Sequence, residues 1–226
     1  MNQREILMEQ ENYILASALP RILDMNTYVR KSHFEYFKNM AYPYVGVTVN
    51  VDITEFLADT KEKKQPFFLS FLYYLANAAN SVPEFRQRIL LDGIVEYGQC
   101  KTSHTVALKD GTYCYCTLDS AGPFEKYLKE AVRIQAEAAE NECLEDGEDA
   151  LSLLFISTVP WFSYTSLVQP VPSPADSNPR LTWGRYFMQE GRILLPVSVL
   201  CHHALVDGIH IAQFYKKLED LLARTI

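Results

Sequence analysis

The chain has 226 residues, 48% of them hydrophobic and 22% charged, with a net charge of -7 and a pI near 5.3. That acidity argues against a nucleic-acid partner, which needs a basic face, and any anionic small ligand must then be held by local positive groups. No stretch approaches the ~18 uncharged apolar residues of a membrane span, and the first 25 residues carry Arg4, Glu5, Glu9, Glu11, Arg21 and Asp24 with no leader-like apolar run; a cytoplasmic protein is expected.

Five cysteines (Cys100, Cys114, Cys116, Cys143, Cys201) form no C-x-x-C pair, which predicts reduced, mostly buried thiols. In chain order, Ser32-His33-Phe34-Glu35 reads as a capping box ahead of an aromatic-rich helix to about Met40. Residues 44–53 alternate, with Val45, Val47, Val49, Val51 and Ile53 on one face of a half-buried strand. Pro66 opens an apolar stretch over 67–79 that is too long for a strand and suits a buried helix. Asp92-Gly93 and Asp110-Gly111 are hairpin turn signals. A charged helix over 123–142 and an apolar strand over 151–159 follow. Residues 169–179 are proline-rich and read as a loop, 180–189 and 192–201 as a long hairpin turning at Glu190-Gly191. A helix over about 207–224 closes the chain, with Ile211, Tyr215, Leu218 and Leu222 on one face. Strands that come as hairpins imply an α/β two-layer sandwich, its sheet mixed and largely antiparallel with helices packed on it.

The segment Leu200-Cys201-His202-His203-Ala204-Leu205-Val206-Asp207-Gly208 carries the chemistry. It lies where an apolar strand gives way to a helix, so His202 and His203 point to opposite faces, Asp207 falls at the N-cap and Gly208 permits close backbone approach. Four readings compete: strand-end histidines beside a cap; a metal site drawn from His202, His203, Asp207 or His210; a Ser-His-Asp hydrolase; and an acyltransferase with a lone histidine base. Ligands on opposite strand faces converge poorly and the chain has no G-x-S-x-G elbow, which disfavours the second and third.

H-H-x-x-x-D-G resembles the signature of an acyltransferase superfamily, and other segments are similar to the chloramphenicol acetyltransferase family within it. These are Tyr28-Val29-Arg30-Lys31-Ser32-His33-Phe34, Val51-Asp52-Ile53-Thr54, Pro83-Glu84-Phe85-Arg86, the run from Ile156-Ser157 through Pro160-Trp161 to Thr165-Ser166, and Leu181-Thr182-Trp183-Gly184-Arg185-Tyr186. The resemblance covers about residues 26–222. It implies a single acyltransferase domain over 26–226 behind an N-terminal extension of residues 1–25. It also implies a homotrimer with active sites between subunits, acetyl-CoA as co-substrate, no metal, and the family's link with antibiotic resistance. His203 becomes the general base, since neutral imidazole can take a hydroxyl proton and return it to the thiolate, with its tautomer held by its own backbone carbonyl. Asp207 pairs bidentately with Arg30, Ser166 is the oxyanion donor, and Thr182 holds a bridging water. Tyr186, Arg185 and Phe68 contact coenzyme A, with help from Lys61, Lys63 and Lys64. The acceptor pocket departs from the family pattern: Phe37 stands for a tyrosine, Val45 for a large aromatic, Tyr42-Pro43-Tyr44 for smaller neighbours, and the loop from Ser166 to Thr182 is short. A small hydroxylated acceptor other than chloramphenicol is therefore expected. A non-catalytic binding relative and the acyltransferase core of a multienzyme complex are the alternatives.

Overall fold

The computed structural model describes residues 20–141 and 149–223; Cys143 and the end of the charged helix lie outside them. The main sheet runs β2(Tyr44–Asp52), β10(Arg192–His202), β8(Arg180–Gly184), β7(Leu153–Val159), β5(Lys101–Ala107), β6(Tyr113–Leu118), and β9(Phe187–Gln189) also pairs with β10. Pairing is antiparallel except that β7 runs parallel to both its neighbours. A small sheet joins β1(Arg21–Ile22), β4(Gly93–Glu96) and β3(Gln87–Leu90), so residues 21–22 of the expected N-terminal extension are part of the fold.

Five helices are described. α1(Lys31–Phe37) lies near the site, and α2(Thr54–Glu62) follows β2. The packing layer is made of α3(Phe67–Asn80), α4(Phe124–Asn141) and α5(Gly208–Leu222). α3 sits between the other two, α4 covers β5 and β6, and α5 lies over β2 and β10, where Tyr215 OH reaches Val47 O of β2 at 3.2 Å and Val197 O of β10 at 2.7 Å. Leu72, Leu75 and Ala79 of α3 meet Phe214 and Leu218 of α5 in one core with Val51, Val197 and Val199 of the sheet. Phe85 stacks on Phe214, centroids 5.3 Å apart.

β10 is buried almost throughout, which its run Ile193-Leu194-Leu195 and Val197-Ser198-Val199 suits. Pro196 is tolerated in this central strand because it falls between the β9 pairing (192–194) and the β8 pairing (197–200), where no N–H is required on that side. The expected unbroken strand over 180–189 is accordingly interrupted at Arg185 and Tyr186.

Three local expectations change. Ser32 does not cap α1: the N-cap is Arg30, no side chain caps it, and the helix stops at Phe37. The capping box stands instead at α5, where the Asp207 side chain accepts from the first-turn backbone and His210 Nδ1 accepts from Asp207 N. The β3–β4 turn is Leu91-Asp92, one residue early, with Leu91 at φ 54°. Val47, placed on the inward row, is partly exposed because β2 is an edge strand. The four described cysteines are buried and form no disulfide with one another.

Arg88 joins the two sheets. It is fully buried with no carboxylate bonded to it. It donates to Phe85 O, Gln87 O and Leu153 O at 2.8, 2.7 and 2.9 Å, and burial lowers its pKa. Carbonyl dipoles here offset the desolvation of a cation. Arg88→Met should lower unfolding stability by at least about 2 kcal/mol, because those carbonyls lose a buried donor. A urea midpoint equal to wild type would show the contact to be dispensable.

Candidate active site

The two histidines part company as strand alternation requires. His202 turns away from the helix layer and is buried, and its Nδ1 accepts from Ala204 N at 3.2 Å. Burial pushes its pKa down to about 4, against the pull of Asp176, so it is neutral near pH 7. His203 leaves the end of β10 with its N–H donating to Pro43 O (2.7 Å) and its ring one-quarter exposed.

The His203 ring is held from two sides. Nδ1 lies 2.9 Å from Val206 O. A carbonyl can only accept, so Nδ1 carries the proton and Nε2 of the neutral ring is left bare as a base. The holding carbonyl belongs to Val206, three residues on, and not to His203 itself. Phe37 stacks on the imidazole, centroids 3.9 Å apart and planes 29° apart, which gives Phe37 a contact with His203. Val45 pairs with Cys201 at the same end of the sheet and packs against the core.

Asp207 supports this corner without touching the ring. Its Oδ1 is 4.0 Å from His203 Nδ1, too far for a hydrogen bond. Arg30 Nη1 donates to its Oδ2 at 2.8 Å, and that bond, ahead of the backbone N–H of Gly208, holds the Asp207 carboxyl below the usual carboxylate range. The pair is single and not bidentate: Arg30 Nε and Nη2 are buried without a protein partner. No atom lies close to a Cβ built at Gly208, so close approach is not what that glycine provides.

A second group of polar residues occupies the sheet face away from the helices. Register places Thr48, Ser198, Thr182 and Ser157 side by side on β2, β10, β8 and β7. Ser157 Oγ and Thr182 Oγ1 are 2.8 Å apart, and Thr182 Oγ1 donates to Gln169 Oε1 at 3.3 Å. Ser198 Oγ lies 2.7 Å from Thr48 Oγ1 and donates to Tyr164 OH (3.3 Å), which donates to Thr182 O at 3.1 Å. Tyr164 can lie on β8 because residue 184 is glycine: a Cβ there would come within 2.8 Å of the tyrosine ring. Ser157, Gln169 and Arg180 line a cavity of about 390 Å³. Ser166 is exposed in irregular chain beside a neighbouring cleft of about 240 Å³ with Tyr44, Gly46 and Ser198; it is outside the hydroxyl row. The sequence contained Ser157 within the Pro160-Trp161 motif, and the cross-strand register is what separates it from Ser166. Neither cavity reaches His203.

The expected coenzyme residues gather at the start of α3. Tyr186 sits against Phe67, centroids 5.9 Å apart, and Arg185 N donates to Phe162 O at 3.0 Å. Phe68 packs on Trp183 and His104 and lines a cleft of about 530 Å³ with Gln135, Thr158 and Pro160. Lys63 is paired with Asp59 at 2.7 Å. Among the described residues no cluster of three His, Cys, Asp or Glu is placed to hold a metal, and no helix is long and apolar enough to cross a membrane.

A mixed sheet under one helical layer, with H-H-x-x-x-D-G at its strand-to-helix corner, is an acyltransferase fold. A catalytic core of the 2-oxoacid dehydrogenase multienzyme complex from Thermoplasma acidophilum shares it at TM-score 0.64, covering 91% of this chain and 99% of that one, with 18% identity. A solved chloramphenicol acetyltransferase superposes at TM-score 0.81 with 30% identity over 90% of this chain and 100% of that one. The Klebsiella sp chloramphenicol acetyltransferase is 30% identical over 201 residues, 88% of this chain and 91% of its own, and the chloramphenicol acetyltransferase family model matches residues 20–219. The chain belongs to the chloramphenicol acetyltransferase family, and it is an acyltransferase.

His202 makes the corner pH-sensitive. Its folded pKa of about 4 lies below its ordinary 6.5, so the unfolded chain binds the extra proton first and stability falls as pH drops from 6.5 towards 4. A difference of roughly 2.5 at about 1.4 kcal/mol per pKa unit makes the loss about 3 kcal/mol. His202→Asn, which keeps an acceptor for Ala204 N, should flatten that part of the stability–pH curve; parallel curves for the two proteins would refute the assignment.

Proposed function

We propose that the enzyme transfers an acetyl group from acetyl-CoA to the hydroxyl of a small acceptor, with His203 as general base. The observation that carries this is the Nδ1–H bond to Val206 O, which leaves Nε2 bare. The acceptor hydroxyl gives its proton to Nε2 as its oxygen attacks the thioester carbonyl. The tetrahedral intermediate then collapses, the C–S bond breaks, and the coenzyme A thiolate takes the proton back. Phe37 and the Asp207–Arg30 pair act by holding the imidazole and its corner still.

The oxyanion needs a hydroxyl aimed at it. Ser157 suits this better than Ser166. It is anchored on the neighbouring strand by Thr182 and lines a cavity of about 390 Å³; with the Thr182 proton on Gln169, the Ser157 proton rests on Thr182 Oγ1 and turns from it to the oxyanion when that forms. Thr182 then acts by orienting Ser157. Arg185 and Tyr186, next to the cationic stretch Lys61–Lys64 and the α3 N-terminus, suit an adenine with phosphates.

Base and hydroxyl row do not share a cavity within one chain, so a complete site needs His203 of one subunit against the Ser157 face of another, in a homotrimer. Trp161, Phe162 and Val168, at 74%, 58% and 93% exposure, give the latter face an apolar border suited to such contact.

Thiol release from acetyl-CoA over a panel of alcohols, chloramphenicol included, tests the chemistry. His203→Ala should lose about 10²–10⁴-fold and Ser157→Ala about 10²–10³-fold in kcat, with Ser166→Ala near wild type. Equal rates for wild type and His203→Ala would end the base assignment, and a Ser166→Ala loss exceeding that of Ser157→Ala would return the oxyanion role to Ser166. Light scattering after size exclusion should give three times the mass of the 25.9 kDa chain; a monomer would sink the shared-site reading.

A further inference from the structure

The sheet face that carries the hydroxyl row carries a charged group beside it. One step of two residues along, the register runs Gly46, Leu200, Arg180, Phe155, Ser103 across β2, β10, β8, β7 and β5. Arg180 and Thr182 therefore share a face. Arg180 and Ser157 line the same cavity of about 390 Å³, with Tyr115, Phe155 and Gln169.

Arg180 is oriented by its surroundings. Nη1 and Nη2 donate to Oδ1 and Oδ2 of Asp176, both at 2.7 Å, and Nη1 also reaches Asn178 O at 3.3 Å. Tyr44 OH donates to the same carboxylate at 3.0 Å; burial and then the Asp176 charge hold that phenol protonated. The guanidinium lies over Phe155 and Tyr44, at 5.4 and 6.0 Å from the ring centres. Asp176 is thus neutralised by its partners, and it occupies only the end-on edge of the guanidinium. The side-on fork, Nε–H with the second Nη2–H, makes no hydrogen bond to any described residue. Nor does the amide NH2 of Gln169, whose oxygen is taken by Thr182. A preoriented side-on fork matches the two oxygens of a carboxylate. A neutral or apolar acceptor would desolvate these donors and leave them unpaired, which weakens binding.

We propose that the acceptor is an alcohol bearing a carboxylate, received by Nε and Nη2 of Arg180 while its hydroxyl lies at Ser157. The inference rests on the acetyl-transfer reading of this face and extends it by naming the substrate class and the residue that selects it. Two residues of strand rise and one strand spacing separate the Arg180 and Ser157 backbones by roughly 8 Å, a distance that a short hydroxy acid spans.

The test compares short hydroxy acids with their methyl esters, by thiol release from acetyl-CoA and by calorimetric binding to wild type. Wild type should favour the acid by roughly tenfold or more in kcat/KM, the size of one charge-assisted bidentate contact. In Arg180→Gln the acid-to-ester ratio should fall to near one, and in Arg180→Lys, which keeps the charge and loses the fork, to an intermediate value. Should Arg180→Gln fail to fold, Arg180→Lys and wild-type calorimetry decide. Wild type treating acid and ester alike, or an Arg180→Lys ratio equal to wild type, overturns the proposal; thiol release on esters would in that case still uphold acetyl transfer. Absence of turnover on every acceptor, together with no acid binding, removes both.

Discussion

Side-chain alternation along β10 is the constraint on which both halves of the site depend. Val197, Val199 and Cys201 go to the helix layer and are buried there, and Ser198, Leu200 and His202 go to the opposite face. A one-residue slip would exchange the two sets, putting a serine and a histidine into the apolar core. The long pairing with β2, from Leu194–Asp52 to His202–Tyr44, excludes that slip. The same ladder delivers His203 to the corner through its bond to Pro43 O, so the register that builds the core also positions the ring.

Charge is handled differently at three places. Arg88 is wholly enclosed and relies on carbonyl oxygens and the Cys100 sulfur, with no carboxylate among its described partners. Arg30 meets one oxygen of a partly exposed carboxylate, which is enough to hold a corner while its Nε and Nη2 meet no acceptor among the described residues. Arg180 has a bidentate partner, two aromatic faces and an open edge. An arginine held so firmly and left so incompletely bonded is organised for something outside the chain. Arg30 shows the same incompleteness, but in a buried corner with no cavity beside it among those that line the sheet face.

Much of this was legible in the sequence. The valine alternation of β2, the apolar length of α3, the Asp207 cap and the H-H-x-x-x-D-G corner are local patterns, and local patterns survive in one dimension. The family resemblance likewise needed only short motifs in order. What the sequence leaves hidden is of another kind. Ser32-His33-Phe34-Glu35 has the composition of a capping box, but α1 begins a residue before Ser32, and composition does not carry that phase. Ser166 and Ser157 are both serines near Pro160-Trp161; only the pairing of β7 with β8 shows which of them meets Thr182. The Val206 carbonyl that holds His203 comes from the tight turn after β10, a conformation that the spacing of the two histidines does not specify. Arg180 read as the first residue of a strand, because its partner Asp176 lies in a proline-rich loop whose path no periodicity predicts.

The short loop also sets the surroundings of His203 apart from those of Arg180. His203, the Val206 carbonyl that holds it and Phe37 stacked on it come from the end of β10, the turn into α5 and α1. The groups that line the cavity beyond Ser157 come from the strands, Phe155 and Arg180 among them, and from the loop above them, Gln169 and Pro170. A change on that face need not disturb packing beneath it, because alternate residues of the same strands do the packing: Leu181 and Trp183 are buried in the core while Arg180 lines the cavity. A large or charged side chain can therefore enter this face at little cost to the sheet, provided that the loop supplies its counter-charge. Asp176 does so here, within four residues of Arg180, and the pairing keeps the cation in place without drawing it away from the cavity it lines.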